Sequence, residues 1–209
     1  MAYALWTSFD VYVPDRRGRG YSGQYQPDSD LQTEVNDLRA LLSDTGAQYV
    51  LGVGSGASLA LCTACHVAMF DNDLSIKKIA AFEPLILPED NGKFGELREK
   101  LEQQIDGGRS LKEECRFWEE MKFQKLFGLS QRKTEVLFIY GNESFSHLQV
   151  SLQSFSNGLA HMKVMDFDGM GHSGLSNNSE GGDPGRVAIE LRNFFFGCSQ
   201  QLGRVPNQN

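Results

Sequence analysis

The chain has 209 residues, 40% of them hydrophobic and 22% charged, and its 20 basic and 27 acidic residues leave a formal net charge of -7. That size suits one domain with a core large enough to fold without disulfide staples, and the acidic balance argues against a nucleic acid or an anionic membrane as the main partner. No apolar run reaches the length of a bilayer span, and the first residues lack the basic and apolar blocks of a secretory signal.

In chain order, Phe9 to Val13 reads as a short strand ending at Pro14-Asp15. A polar, glycine-rich loop follows. Leu31, Val35, Leu38, Leu41 and Leu42 then recur at helical spacing, predicting a helix over 31–42. Tyr49 to Val53 reads as a buried strand that runs into Gly-Val-Gly-Ser-Gly. Ala57 to Phe70 is apolar almost all round, as a buried helix is. Ile79 to Phe82 is a third strand, closed by Glu83-Pro84. The charged stretch from about Glu89 to Lys133 is too long for a connection and too amphipathic for disorder. It reads as a helical cap, with one helix through Phe94, Leu97, Leu101 and Ile105 and another around Phe117 to Phe127. Val136 to Tyr140 and Met162 to Phe167 are further strands, separated by a helical segment from Ser146 to Leu159. Val187 to Phe196 is a last helix, and the tail from Gln200 is polar. Strands alternating with helices imply a mostly parallel α/β sheet of about five strands, covered on both faces. Functional loops then gather at the carboxyl ends of the strands.

The strongest local signal is Gly52-Val53-Gly54-Ser55-Gly56-Ala57, between an apolar strand and an alanine-rich helix. Small residues at this spacing let a strand turn sharply into a helix, leaving one residue on a strained tip beside the N–H groups of the helix start. Such a tip carries the nucleophile in serine hydrolases, and its turn supplies half of the oxyanion hole. The plainer alternative is a glycine turn that packs helix on strand or cradles a phosphate. Three other features stand in order around it. Asp15-Arg16-Arg17-Gly18-Arg19-Gly20-Tyr21-Ser22 follows the first strand, Glu83-Pro84 closes the strand after the elbow helix, and Gly169-Met170-Gly171-His172 lies just past the last strand. A loop histidine there is placed to reach the elbow across the sheet edge.

Other constellations reduce to packing. Cys62-Thr63-Ala64-Cys65-His66 spells a haem-attachment pattern, but inside the apolar helix of a chain with no visible export signal. The four cysteines, Cys62, Cys65, Cys115 and Cys198, are too scattered for a disulfide framework or a zinc site, and fit a reduced, cytoplasmic protein. The sequons at Asn142 and Asn177 have no meaning without secretion. Phe194-Phe195-Phe196 reads as a helix docking on the sheet rather than as a binding surface.

Taken together, the four ordered motifs from Phe9 to Phe196 resemble the α/β-hydrolase superfamily. The nearest likeness is to small cofactor-free members whose first loop reads Asp-Arg-Arg-Gly-Arg-Gly-x-Ser-Gly, whose elbow reads Gly-x-Ser-Ser-Gly-Ala and whose next strand ends in Glu-Pro. Three departures stand out. Aligning Gly52, Gly56 and Ala57 with that elbow puts Gly54 at the nucleophile position, and a glycine cannot attack a carbonyl. After the strand Val136 to Tyr140 the family often has an aspartate about three residues beyond the glycine; here Gly141 is followed by Asn142, Glu143 and Ser144. The family also has two or three strands before the Asp-Arg-Arg-Gly loop, with a His-Gly loop that supplies the other oxyanion donor; this chain begins at Ala2-Tyr3-Ala4-Leu5, the last turn of the helix before that loop.

The resemblance implies a single α/β-hydrolase-like domain over 1–209 with a cap at about 89–133, no metal and no cofactor. It implies a small hydrophobic or acyl substrate. For hydrolysis, Ser55 would have to act as nucleophile from a shifted elbow, with His172 as base, Glu143 as orienting acid and the main chain of Gly52, Gly54, Ser55 and Gly56 forming the turn and oxyanion donors. Two readings stand beside it: a catalytically silent relative that binds a small molecule or protein, and a non-hydrolytic enzyme that uses His172 as a general base. Without the front strands, Phe9 to Val13 would be an exposed edge through which two copies pair.

Overall fold

A computed structural model of the chain describes residues 1–23, 29–71, 73–84, 134–144, 162–176, 178 and 181–197. The expected cap at 89–133, the helical segment at 146–159, Cys115, Cys198 and the polar tail lie outside the described residues.

The elements in chain order are α1 (Ala2–Leu5), α2 (Leu31–Thr45), β1 (Tyr49–Val53), α3 (Ser55–Phe70), β2 (Lys78–Phe82), β3 (Glu135–Gly141), β4 (Met162–Phe167) and α4 (Pro184–Phe196). The four strands form one sheet in the order β1-β2-β3-β4, every pair parallel. The register sets Val53 beside Phe82 and Phe82 beside Ile139, so β1, β2 and β3 end together.

A parallel sheet has to be covered on both faces, and the strand alternation here divides the core in two. Ile79, Ala81, Val136 and Phe138 face α3 and pack with Ala57, Ala60, Leu61 and Ala64, backed by Leu42 of α2. Ala80, Phe82, Leu137 and Ile139 face the other way, onto Val187, Leu191, Phe194 and Phe195 of α4 and Leu5 of α1. Helix ends are set by local chemistry. Asp30 caps α2 by accepting from the Thr33 N–H at 2.8 Å, and Gly46 closes it in the left-handed region. Asp183 accepts from the Arg186 N–H at 3.0 Å at the start of α4, with Pro184 at its first position. Lys78 reaches from β2 to donate to the Phe194 carbonyl at 2.7 Å, satisfying an acceptor in the last turn of α4. The aromatic run therefore docks a helix, with Phe194 and Phe195 buried.

One expected strand is not formed. Residues 9–13 run as irregular chain, with Tyr12 and Val13 54% and 74% exposed. Phe9 stacks on Phe196 at 4.8 Å and meets Phe195 edge-on at 5.7 Å, so an aromatic contact, not a ladder, holds the segment. β-branched and aromatic residues favour a strand only when a neighbouring strand accepts their backbone bonds, and β1 is paired with β2 alone. The sheet thus has four strands among the described residues rather than about five, and its edges among them are β1 and β4, not 9–13.

Candidate active site

The turn between β1 and α3 is set by close approach. A Cβ at Gly52 would lie 2.5 Å from the Ala57 nitrogen and 2.6 Å from the Gly56 carbonyl oxygen, so only glycine lets the helix start this near the strand. Gly54 is the tip, at φ 53° and ψ -120°. Its N–H donates to the Phe82 carbonyl at 2.9 Å, and its own carbonyl accepts from Ala57 and Ser58 to begin α3. A Cβ on Gly54 would stand 3.8 Å from Cε1 of His172, with no other non-neighbouring atom of the described residues within 4 Å. The tip points at the histidine.

His172 is delivered by two loops locked together. Asn142 donates from its N–H to Phe167 O at 3.1 Å and accepts from the Gly169 N–H at 2.8 Å, while the Glu143 N–H donates to Met170 O at 3.0 Å. Gly141 carries no Cβ because Met170 O occupies that space. Buried Met170 and Leu175 anchor the loop on either side of the histidine.

The carboxylate on the imidazole is Glu83, not Glu143. His172 Nδ1 and Glu83 Oε2 are 2.5 Å apart. Glu83 is wholly buried at the end of β2, and its Oε1 accepts from the Gly141 N–H at 3.0 Å and from the Ser144 hydroxyl. Its backbone has a φ of 46°, unusual for a side-chained residue and more so before a proline. That turn, with its N–H donating to Ile139 O at 2.8 Å, swings the carboxylate back over the strand ends. Glu143 is exposed instead, because the ladder between the two loops turns its side chain outward. Ser144, three residues beyond Gly141, serves as a donor to Glu83. The sequence held one signal for this: a glutamate at the carboxyl end of the strand beside the elbow, after an uncharged run.

The electrostatics follow. Burial pushes the Glu83 carboxyl up, but hydrogen bonds from His172, Ser144 and the Gly141 N–H overcome it and hold the group below the usual 4.5. The hydrogen bond to Glu83 lifts His172 above 6.5 against the opposing effect of burial. An ionised carboxylate only accepts, so Nδ1 carries the proton and Nε2 is the basic nitrogen.

Ser55 and Gly56 are the first two residues of α3, where main-chain N–H groups point out of the helix. The Ser55 hydroxyl accepts from the Arg16 guanidinium at 3.0 Å, and Arg16 is itself held by Glu34 of α2 at 2.6 Å. The arginine loop is thus a structural brace: Arg17 pairs with Asp37, and the Asp15 carboxylate accepts from the Tyr21 N–H at 2.8 Å. Cys62 and Cys65 are buried in α3 and His66 lies against Phe70 at 5.0 Å, so the haem-like spelling falls on core packing.

No protein-family model and no curated protein sequence matches the chain. Solved structures do. A meta-cleavage product hydrolase from Pseudomonas fluorescens is similar with a TM-score of 0.64 at 14% identity, over 95% of this chain and 84% of that one. A monoacylglycerol lipase from Paleococcus ferrophilus gives 0.60 at 13%, over 85% and 80%. An esterase from Exiguobacterium antarcticum gives 0.58 at 13%, over 86% and 79%. With the parallel sheet, the strand-to-helix turn and the loop histidine, these likenesses establish the α/β-hydrolase fold.

Proposed function

We propose that the chain is an α/β-hydrolase-like protein for small ester or acyl compounds in which the covalent serine route is closed at Gly54. The observation that carries this is the tip itself. Its backbone and the direction of its missing Cβ place a side chain against His172, and the residue there has none. The basic nitrogen of His172 is retained, which supports the reading that base chemistry outlived nucleophilic chemistry. The relatives in fold named as an esterase and a monoacylglycerol lipase motivate the substrate class.

A fluorophosphonate probe tests the closed route. The natural chain is expected to remain unlabelled, Gly54→Ser to label, and Gly54→Ser with His172→Ala to lose the label. Labelling of the natural chain that disappears in Ser55→Ala would overturn the reading and assign the nucleophile to Ser55.

A further inference from the structure

We infer that the His172–Glu83 pair acts on water over Gly54, hydrolysing activated esters and strained lactones in a general-base reaction that forms no acyl-enzyme. This deepens the reading above and rests on it, because it requires that no side chain at the tip intercept the carbonyl.

Three features carry it. The first is room: glycine at position 54 leaves the place of a Cβ empty in front of the imidazole, where among the described residues the one non-neighbouring atom within 4 Å is Cε1 of His172, at 3.8 Å. The second is asymmetric exposure within the pair. The Glu83 side chain is 0% exposed and the His172 side chain 50%, so the base is open to solvent while its acid is shielded. The third is the hold on the acid. Glu83 accepts from His172, Ser144 and the Gly141 N–H, and sits at a positive φ that a pair serving packing alone would not require. Among the described residues Glu83 is the charged group that bears on His172.

The step balances without a covalent intermediate. Nε2 removes a proton from water as the water oxygen bonds to the carbonyl carbon, and the carbonyl π electrons move to its oxygen. When the tetrahedral species collapses, the bond to the alcohol oxygen breaks and the imidazolium returns the proton to that leaving oxygen. The Nδ1 proton stays on the Glu83 hydrogen bond throughout. An ester yields acid and alcohol; a lactone yields the hydroxy acid. Water is a weaker nucleophile than an activated serine, so the substrate must bring a good leaving group or ring strain.

The test uses the full chain with p-nitrophenyl acetate and dihydrocoumarin. Product is expected to accumulate linearly from the first turnover, with no burst, and the rate to rise with pH through a midpoint above the ordinary histidine value of 6.5. His172→Ala should lower the rate by about a hundredfold or more. Glu83→Gln, checked for folding by circular dichroism, should move the midpoint to lower pH as well as slow the reaction. A loss of rate with an unmoved midpoint would make Glu83 a packing residue and overturn its part. A rate untouched by His172→Ala and His172→Gln, or no turnover at all, would overturn the inference while leaving the Gly54→Ser labelling result standing. A burst in the natural chain would sink both readings together.

Discussion

The elbow turn and the His172–Glu83 pair face each other, a Cβ at Gly54 standing 3.8 Å from Cε1 of His172, yet the two are built in opposite ways. The turn keeps its geometry and has no reactive side chain: Gly54 holds φ 53° and ψ -120° with nothing to offer beyond backbone. The pair is made of side chains: Glu83 at the end of β2 stands on the imidazole, while the loop after β3 contributes the Ser144 hydroxyl. The contrast shows that the two regions are held by different forces. The turn is fixed by the backbone, through main-chain crowding at Gly52 and the positive φ of Gly54. The pair is fixed by side-chain hydrogen bonds in a buried pocket, and any carboxylate able to reach that pocket can serve.

Three substitutions sharpen or break this contrast. Gly52→Ala should act through crowding alone: a methyl group driven into the Ala57 backbone is expected to destabilise the fold by about 3 kcal/mol in urea unfolding. A shift within error would mean that the turn is not held by close approach.

Glu83→Gln should cost about 2 kcal/mol, the order of a hydrogen bond to a buried charged group. The loss should depend on pH. His172 is raised above 6.5, so its share of the pair's stability is complete below that value and fades as pH rises through the folded pKa. Glu83 is held below 4.5, so its share is complete above that value and fades as pH falls through the folded pKa. The gap between natural chain and variant is therefore expected to be widest between about 4.5 and 6.5 and to narrow on either side. A gap that does not vary with pH would dissolve the ion pair as its cause.

Ser144→Ala is the smallest of the three, at about 1 kcal/mol for one donor to the carboxylate. It should raise the Glu83 pKa toward its usual range, measurable by NMR titration.

Much of the fold was legible in the sequence. Tyr49–Val53 and Met162–Phe167 stand where alternation and apolar runs put them, and α3 begins two residues earlier than expected, at Ser55. These two are the outer strands and are only partly buried, unlike the apolar runs of β2 and β3 between them. Gly54 was legible as well, because small residues at fixed spacing record a backbone demand. Two things were not. Residues 9–13 have strand composition but no partner strand, and pairing is a property of the sheet, not of the segment. Glu83 was visible only as the residue before Pro84, since its reach to His172 depends on a positive φ and on where the β4 loop returns. A spacing argument looks for the acid along the loop after β3; the structure supplies it across the sheet from the neighbouring strand.

The conformation of Gly54 also bears on heat. Any residue with a side chain is strained at that φ and ψ, by an amount on the order of 1–3 kcal/mol. Glycine relieves it. At this position the chain therefore has a thermal margin that any side chain would spend, and Gly54→Ser is expected to melt at a lower temperature than the natural chain.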